Sequence, residues 1–252
     1  MTSTLKGSWF VNNVEVPADR ELLWAPPVSA GRRAGRRPLS REQIVTAGVA
    51  IADGEGLEAV SMPRLARSLD TAPMSLYRHV PDKDALVGLM LDAAIGPPPE
   101  AIDTAGSWRE RLAAWARSNL EVFRRHPWTL PLVSGTRAMG PHECAWGEAA
   151  LRAIGAAGLG PPDNGRVLML VNGYVRGAAV PVGERVPDLV TLEHSGRAAE
   201  LPLIAALLAT RPAAPAEESS EGGGAGALTE DAFEFGLLRV LDGVEARLPR
   251  SE

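Results

Sequence analysis

Cysteine, histidine and aromatic residues are scarce in this 252-residue chain, which has one cysteine, four histidines and 5% Phe, Trp and Tyr. A single cysteine excludes an intramolecular disulfide framework and a zinc site built from several cysteines, and it suits a reducing compartment. The first residues lack the basic and apolar regions of a secretory signal. The run of aliphatic and methionine residues at 167–171 is far too short to cross a membrane. We therefore predict a cytoplasmic protein without a membrane segment.

Recognisable catalytic groups are also missing. The histidines are scattered at positions 79, 126, 142 and 194, and His142-Glu143 lacks the second histidine of a zinc-protease helix. The triple glycine at 222–224 follows no predicted strand and precedes no Lys-Ser or Lys-Thr pair, so it is not a phosphate loop. We predict that the chain is not an enzyme and uses no metal and no cofactor. A histidine–carboxylate metal site in the second half stays open as an alternative.

The charges that are present are unevenly distributed along the chain. The net charge is −5, yet the stretch from Arg32 to Lys83 carries nine Lys or Arg against six Asp or Glu. A basic region on an otherwise acidic chain is expected of a protein that places one end against phosphates. The same pattern also arises by chance, so it supports DNA binding only together with a motif.

Apolar residues recur at helical spacing along most of the chain, which predicts an all-α fold. Pro97, Pro98 and Pro99 stop the helix that spans residues 82–95. We also predict a single long helix over residues 192–210. The predicted domains are a flexible N-terminal extension with an arginine-rich arm at 1–37, a DNA-binding domain at 38–85, and a larger helical domain at 86–252 with a disordered loop at 211–227.

Residues 60–83 have the pattern of a helix-turn-helix. Ser61 is a good N-cap for the first helix, because its hydroxyl can accept a hydrogen bond from an amide of the first turn. Asp70-Thr71-Ala72 interrupts the apolar pattern, and Pro73 begins a second helix whose Leu76 and Val80 point inward. The exposed side of this second helix would enter a major groove of DNA.

The quoted residues carry a resemblance to a known family. SREQIVTAGVAIADGEGLEAVSMPRLARSL followed by APMSLYRHVPDKDALVGLMLD, from about Leu39 to Leu91, resembles the DNA-binding domain of TetR-type transcriptional repressors. The resemblance implies a three-helix DNA-binding head and a larger helical domain that binds a ligand and dimerises. It places the homodimer interface on helices near 164–180 and 229–248. Two residues depart from the pattern, namely Pro63, where relatives often have a basic residue, and Asp70, where glycine is common.

Carried over position by position, the resemblance implies DNA contacts from the second helix and its surroundings. We interpret the arginine-rich arm as a phosphate or minor-groove contact, and a solvated linker is the alternative. The alternative role for Tyr77 is a core aromatic, and for His79 a helix-end residue. The predicted DNA-binding residues are Arg32, Arg33, Arg36, Arg37, Ser61, Arg64, Pro73, Met74, Ser75, Tyr77, Arg78, His79 and Lys83.

A ligand cavity is expected within the larger domain, because the family resembled here binds its inducer between the helices of that domain. Such cavities are mostly apolar and contain a few well-placed polar groups. Core or surface roles are the alternative for any single member of the set. The candidate ligand-binding residues are Trp115, Asn119, Phe123, His126, Trp128, Met139, His142, Trp146, Met169, Asn172 and Arg176.

The predicted function is that of a homodimeric repressor, which a small hydrophobic or aromatic ligand releases from a pseudo-palindromic double-stranded DNA operator. A dimeric DNA-binding protein without a ligand and an activator remain as alternatives. An all-α enzyme with a vestigial DNA-binding head is a third alternative, and the missing catalytic groups argue against it.

Overall fold

The computed structural model describes residues 18–25, 39–134, 137–180, 189–210 and 230–248. All regular structure within these ranges is helical, which confirms the all-α prediction. The first helices are α1 (Ala18–Trp24), α2 (Arg41–Glu55), α3 (Met62–Ser68), α4 (Pro73–Tyr77), α5 (Lys83–Ile95) and α6 (Ala101–Thr104). They are followed by α7 (Trp108–Arg125), α8 (Thr129–Val133), α9 (Pro141–Gly155), α10 (Pro161–Ala179), α11 (Leu189–His194), α12 (Pro202–Ala209) and α13 (Glu230–Glu245).

The chain forms two compact units. The first unit contains the described residues up to Pro98 together with Arg125–Glu148, and the second contains Pro99–Arg124 together with the described residues from Ala149 onward. The segment Arg125–Glu148 therefore packs with α2–α5, although α7 separates it from them in the sequence. The predicted domain bounds of 38–85 and 86–252 stay a prediction.

Local capping determines where the helices of the first unit begin and end. Ser40 and Gln43 form a capping box at the start of α2, because each side chain bonds the other residue's backbone N–H. The Oδ1 atom of Asp82 accepts a hydrogen bond from the Ala85 N–H at 2.7 Å and starts α5. Gly56 and Gly96 end these two helices at φ values of 85° and 60°, which glycine tolerates without strain.

A single core holds the helices of the first unit together. Ile44, Leu65, Leu76 and Leu86 are fully buried in it. α2 and α5 approach closely at Gly48, where an added Cβ would lie 2.7 Å from the Met90 sulfur. The same core contains a residue from the distant segment, and the buried residues in it are Ile44, Val45, Ala52, Val60, Met62, Leu65, Ala66, Leu76, Val80, Ala85, Leu86, Met90 and Trp128.

Ion pairs join α7 and α13 in the second unit. Arg109 contacts Asp242 and Glu245 at 2.5 and 3.0 Å. Further along α7, Arg117 forms a two-point contact with Glu234 at 2.6 and 2.7 Å, and Arg124 contacts Glu230 at 2.9 Å. The register shows that the two helices run antiparallel. The hydrogen bonds from Arg117 hold the pKa of the Glu234 carboxyl below its ordinary value.

Packing between α10 and α13 depends on a glycine. The Tyr174 ring stacks on Phe233 with a centroid distance of 5.5 Å, and the Tyr174 hydroxyl donates a hydrogen bond to the Phe233 carbonyl oxygen at 2.8 Å. The hydroxyl oxygen lies only 2.2 Å from the place where a Cβ on Gly236 would stand. This contact requires a residue without a side chain at position 236.

The structure differs from the sequence predictions in two stretches. Residues 192–210 are not one helix, because Gly196 at φ 70° ends α11 and Pro202, which has no N–H, begins α12 after a 3-10 turn at Ala198–Glu200. The predicted flexible extension contains α1, which packs on α5. The Arg41 guanidinium donates to the carbonyl oxygens of Leu22 and Ala25 at the end of α1, at 3.2 and 3.1 Å. The predicted loop at 211–227 lies outside the described residues.

A substitution at Gly236 tests the close contact with Tyr174. We expect Gly236→Ala to lower the free energy of unfolding by about 1–3 kcal/mol, because the hydrogen-bonded hydroxyl must move to admit the methyl group. Urea unfolding followed by circular dichroism measures this change. Gly243→Ala on the same helix is the control: a Cβ there meets nothing within 4 Å, so its stability should stay equal or rise. Equal effects of the two substitutions would contradict the role given to Gly236.

Candidate nucleic-acid interface

The turn between α3 and α4 is sharp. Asp70 sits in it at φ 47°, and among the described non-glycine residues it alone has a positive φ. The Thr71 N–H donates a hydrogen bond to the Ala66 carbonyl oxygen at 2.9 Å, which closes the turn. Asp70 thus adopts the left-handed conformation that glycine usually provides, and Asp tolerates this conformation better than most residues do.

α4 has one side exposed to solvent, with both polar and apolar residues, and one side that is buried. Leu76 and Val80 are fully buried, as predicted. Met74 is 71% exposed and Tyr77 is 45% exposed, while Pro73 and Arg78 are exposed as well. Tyr77 is therefore not a core aromatic, and its ring and hydroxyl are accessible to a partner. The helix needs no side-chain cap, because Pro73 lies in its first turn.

The remaining described candidates surround α4 with varied exposure. Lys83 is exposed in the first turn of α5, and Ser75 and His79 are partly buried. Arg64 on α3 forms an ion pair with Glu55 at the end of α2. The Ser61 side chain makes no capping hydrogen bond to α3, so its predicted role as a side-chain N-cap is wrong. The extended backbone of Ser61 starts the helix instead, at φ −147°.

Arg67 on α3 is an exposed residue that the sequence analysis missed. It lies three positions after Arg64, so the two guanidinium groups fall on the same side of α3. The helical spacing of two arginines beside the turn was the signal that could have identified it. Arg32, Arg33, Arg36 and Arg37, the arm predicted to contact DNA, lie outside the described residues.

Comparison with known proteins agrees with this geometry. Residues 44–90 match the family model described as bacterial regulatory proteins, tetR family, and residues 100–248 match the tetracyclin repressor-like C-terminal domain. The chain is 39% identical over 235 residues to the HTH-type transcriptional repressor DrrR1 of Streptomyces coeruleorubidus, covering 89% of this chain and 84% of that protein. The chain belongs to the TetR family.

Solved structures of TetR proteins show the same fold. A possible TetR family transcriptional regulator from Streptomyces coelicolor A3(2) superposes with a TM-score of 0.67 at 25% identity, covering 82% of this chain and 99% of that one. ActR from Streptomyces coelicolor, solved in complex with actinorhodin, gives a TM-score of 0.62 at 24% identity, covering 86% and 100%. The helix-turn-helix of α3 and α4 is thus the DNA-binding element of a transcriptional regulator.

Five of the eleven candidate ligand residues lie in the first unit of this TetR protein. His126 and Trp128 both bond the Asp53 carboxylate, and His142 bonds Asp92. Trp146 is buried and donates to the Gly96 carbonyl oxygen, whereas the Met139 side chain is 52% exposed. The side chains of four of these five residues thus have identified polar partners within the first unit.

The other six candidates lie in the second unit, on α7 and α10. Trp115 and Phe123 are buried, Asn119, Asn172 and Arg176 are partly buried, and Met169 is 70% exposed. A cleft of about 300 Å³ lies in this unit between α10 and α13, and none of the eleven candidates lines it. The cleft is lined by Leu159, Asp163, Arg166, Val167, Leu170, Gly243, Val244 and Arg247. The ligand-binding set stays a prediction.

α10 and α13, the helices on which the resemblance places the homodimer interface, each have a buried face and an exposed face. The α13 stripe that contains Phe233 and Leu237 is fully buried within the second unit, so it is not free to pair with another subunit. The outward face of α13 carries Phe235 and Leu238, and that of α10 carries Met169 and Leu170. Any dimer interface on these helices must use this outward set.

Within the described ranges of the chain, no group of three or more His, Cys, Asp or Glu side chains is placed to hold a metal ion. No helix in those ranges is long and apolar enough to cross a membrane.

Asp70 gives a test of the turn geometry. We expect the free energy of unfolding of Asp70→Ala to be about 1 kcal/mol lower than that of Asp70→Gly, because alanine is strained at φ 47° and glycine is not. Asp70→Ala should therefore unfold at a lower urea concentration. Both variants lack the carboxylate, so their difference isolates the backbone conformation. Equal midpoints for the two variants would contradict the assignment of strain to this residue.

Proposed function

We propose that the chain is a homodimeric TetR-family repressor that binds a pseudo-palindromic operator through α4 and leaves it when a small molecule binds. The observation that carries this proposal is the exposed tip of α4, where Met74 and Tyr77 project from a helix whose inner side is buried. A recognition helix needs this division, because one side must pack in the domain while the other reaches base edges.

Individual contacts follow from the chemistry of the exposed groups. Met74 and Pro73 offer apolar surface that suits a thymine methyl group, while Tyr77 and Ser75 offer hydroxyls for a base or phosphate. Arg64, Arg78, His79 and Lys83 supply positive charge or N–H donors to the backbone, and Ser61 supplies a hydroxyl. We add Arg67 to the phosphate contacts on account of its exposure.

We further propose that Arg32, Arg33, Arg36 and Arg37 contact phosphates or the minor groove. The described residues on either side of them are anchored, because Arg41 binds the carbonyl oxygens of Leu22 and Ala25. The contribution of these four arginines to affinity should depend strongly on salt and little on sequence.

The ligand and the dimer are inferred from the second unit. Its match to the tetracyclin repressor-like domain and the small molecule bound in ActR support a ligand-binding role. We propose an apolar or aromatic ligand held near Trp115, Asn119, Phe123 and Arg176. The homodimer would form through the outward apolar residues of α10 and α13, because large apolar side chains exposed on both helices are costly in a monomer.

We propose that the protein represses transcription and acts in the cytoplasm. The named relative DrrR1 is a repressor, which favours repression over activation. A cytoplasmic location follows from a DNA partner, and enzymatic activity is not proposed, because the family consists of transcriptional regulators.

The double variant Tyr77→Ala/Lys83→Ala tests the interface. Both side chains are exposed, so the fold should persist while operator affinity falls on the order of tenfold to hundredfold. A gel-shift titration on DNA from the protein's own promoter region, at matched salt, measures the loss. Glu193→Ala, an exposed substitution in the second unit, should bind as the wild type does. Unchanged affinity of the double variant would overturn the assignment of these residues.

A further inference from the structure

Three of the six tryptophans use their indole N–H in the same way. Each forms a hydrogen bond between Arg125–Glu148, which we name the brace, and a helix or helix end of the first unit. Trp128 and Trp146 are donors from the brace, and Trp24 of α1 donates to it. The three bonds reach α2, the end of α5, and α1.

The bond from Trp128 has an ionic acceptor. Its Nε1–H donates to Asp53 Oδ1 of α2 at 2.7 Å, and the same oxygen contacts His126 Nδ1 at 2.7 Å. Trp128 is buried in the core of the first unit, so its ring cannot leave without opening that core. Hydrogen bonds to a charged acceptor are roughly twice as strong as neutral ones.

The bond from Trp146 is reinforced by a second contact on α5. Trp146 Nε1–H donates to the Gly96 carbonyl oxygen at 2.9 Å. Nearby, the Asp92 carboxylate accepts the His142 backbone N–H at 2.9 Å, at the start of α9. Burial raises the pKa of Asp92. Gly140 permits this approach, since a Cβ there would lie 2.1 Å from an Asp92 oxygen.

The bond from Trp24 ties α1 to the same brace. Its Nε1–H donates to the Met139 carbonyl oxygen at 3.1 Å. The Trp24 residue is 54% exposed, so water competes for this donor and the bond is the weakest of the three.

The Trp128 and Trp146 bonds lie near the points where the chain passes between the two units. The chain passes from one unit to the other at 98/99, 124/125 and 148/149. Gly96 and Trp146 lie two residues from two of these passages, and His126 lies beside the third. Two of the three connections therefore enter the first unit next to the Trp146–Gly96 bond, and the third enters next to His126, which shares the Asp53 oxygen with Trp128.

We propose that the brace is the element through which the DNA-binding helices sense the second unit, and that the indole bonds of Trp128 and Trp146 carry this coupling. The proposal rests on the regulated DNA binding proposed above, and it names Asp53, Trp128 and Trp146 as positioning residues. By thermodynamic reciprocity, a brace that responds to the second unit must also respond to operator DNA. Operator alone is therefore a sufficient probe, and the natural ligand is not needed.

The test is hydrogen exchange of the full chain with and without an operator duplex. We expect operator to slow amide exchange in α8, residues 129–133, at least threefold, although α8 lies outside the helix-turn-helix. In Trp128→Phe and in Asp53→Ala, basal exchange of α8 should rise about tenfold, as expected for a lost bond to a carboxylate. The operator-dependent slowing of α8 should then disappear while α4 stays protected.

Two comparisons make the test specific. Trp108→Phe, on α7 in the second unit, should retain the wild-type response of α8. The double variant Asp53→Ala/Trp128→Phe should lose no more than Asp53→Ala alone, because Asp53→Ala already removes the bond that Trp128→Phe deletes. A purely structural role would raise basal exchange of α8 and leave its response to operator intact.

The outcomes separate the two proposals. Either of two results would overturn the proposed role of the brace and would leave the proposed repressor function standing. In the first, operator protects α4 and leaves exchange in α8 unchanged in the wild type. In the second, the variants keep the wild-type response of α8. Absence of protection at α4 in the wild type would overturn the proposed function and the brace together.

Discussion

The shared hydrophobic core of the first unit is the constraint on which the DNA-binding element depends. α3 and α4 have seven and five residues, and helices this short are not stable alone. Leu65 and Leu76 obtain full burial only because α2, α5 and Trp128 surround them. The position of the recognition helix is therefore set by packing beneath it, and that packing includes a residue 52 positions further along the chain than Leu76.

The second unit is held differently. Arginines at three positions of α7 pair with carboxylates of α13, and the Tyr174–Gly236 contact sets the distance between α10 and α13. These contacts leave Met169, Leu170, Phe235 and Leu238 facing outward. An inner face fixed by ion pairs and close packing, with an outer apolar face, is a suitable basis for dimerisation. The dimer in turn supplies the second recognition helix that a palindromic operator requires.

Local features of the fold were predictable from the sequence. The capping box of Ser40 and Gln43, the Asp82 cap and the left-handed Asp70 depend only on neighbouring residues, and all three are present. The helix-turn-helix followed from the same kind of signal. By contrast, α1 has no sustained apolar periodicity and is held by the bonds from Arg41 and by packing on α5, which no local pattern reveals.

The sites of long-range contact were predicted less well. His126, Trp128 and His142 have the residue types of a ligand cavity. Composition cannot show that Asp53 and Asp92 accept hydrogen bonds from them. The partners lie 73, 75 and 50 positions apart in the chain. Likewise, the resemblance placed a dimer interface on α13, but an apolar stripe on a helix is equally suited to the interior, and Phe233 and Leu237 are buried there.

Hydroxyl-radical footprinting of the protein on its own promoter DNA tests the central claim most directly. The account predicts two protected patches on one face of the duplex, centred one helical turn or about 34–36 Å apart, as two α4 helices of a dimer require. Protection should disappear in Tyr77→Ala/Lys83→Ala. Uniform protection that depends on the salt concentration and not on the DNA sequence would contradict a dimeric repressor that reads DNA through α4. A single protected patch would contradict it as well.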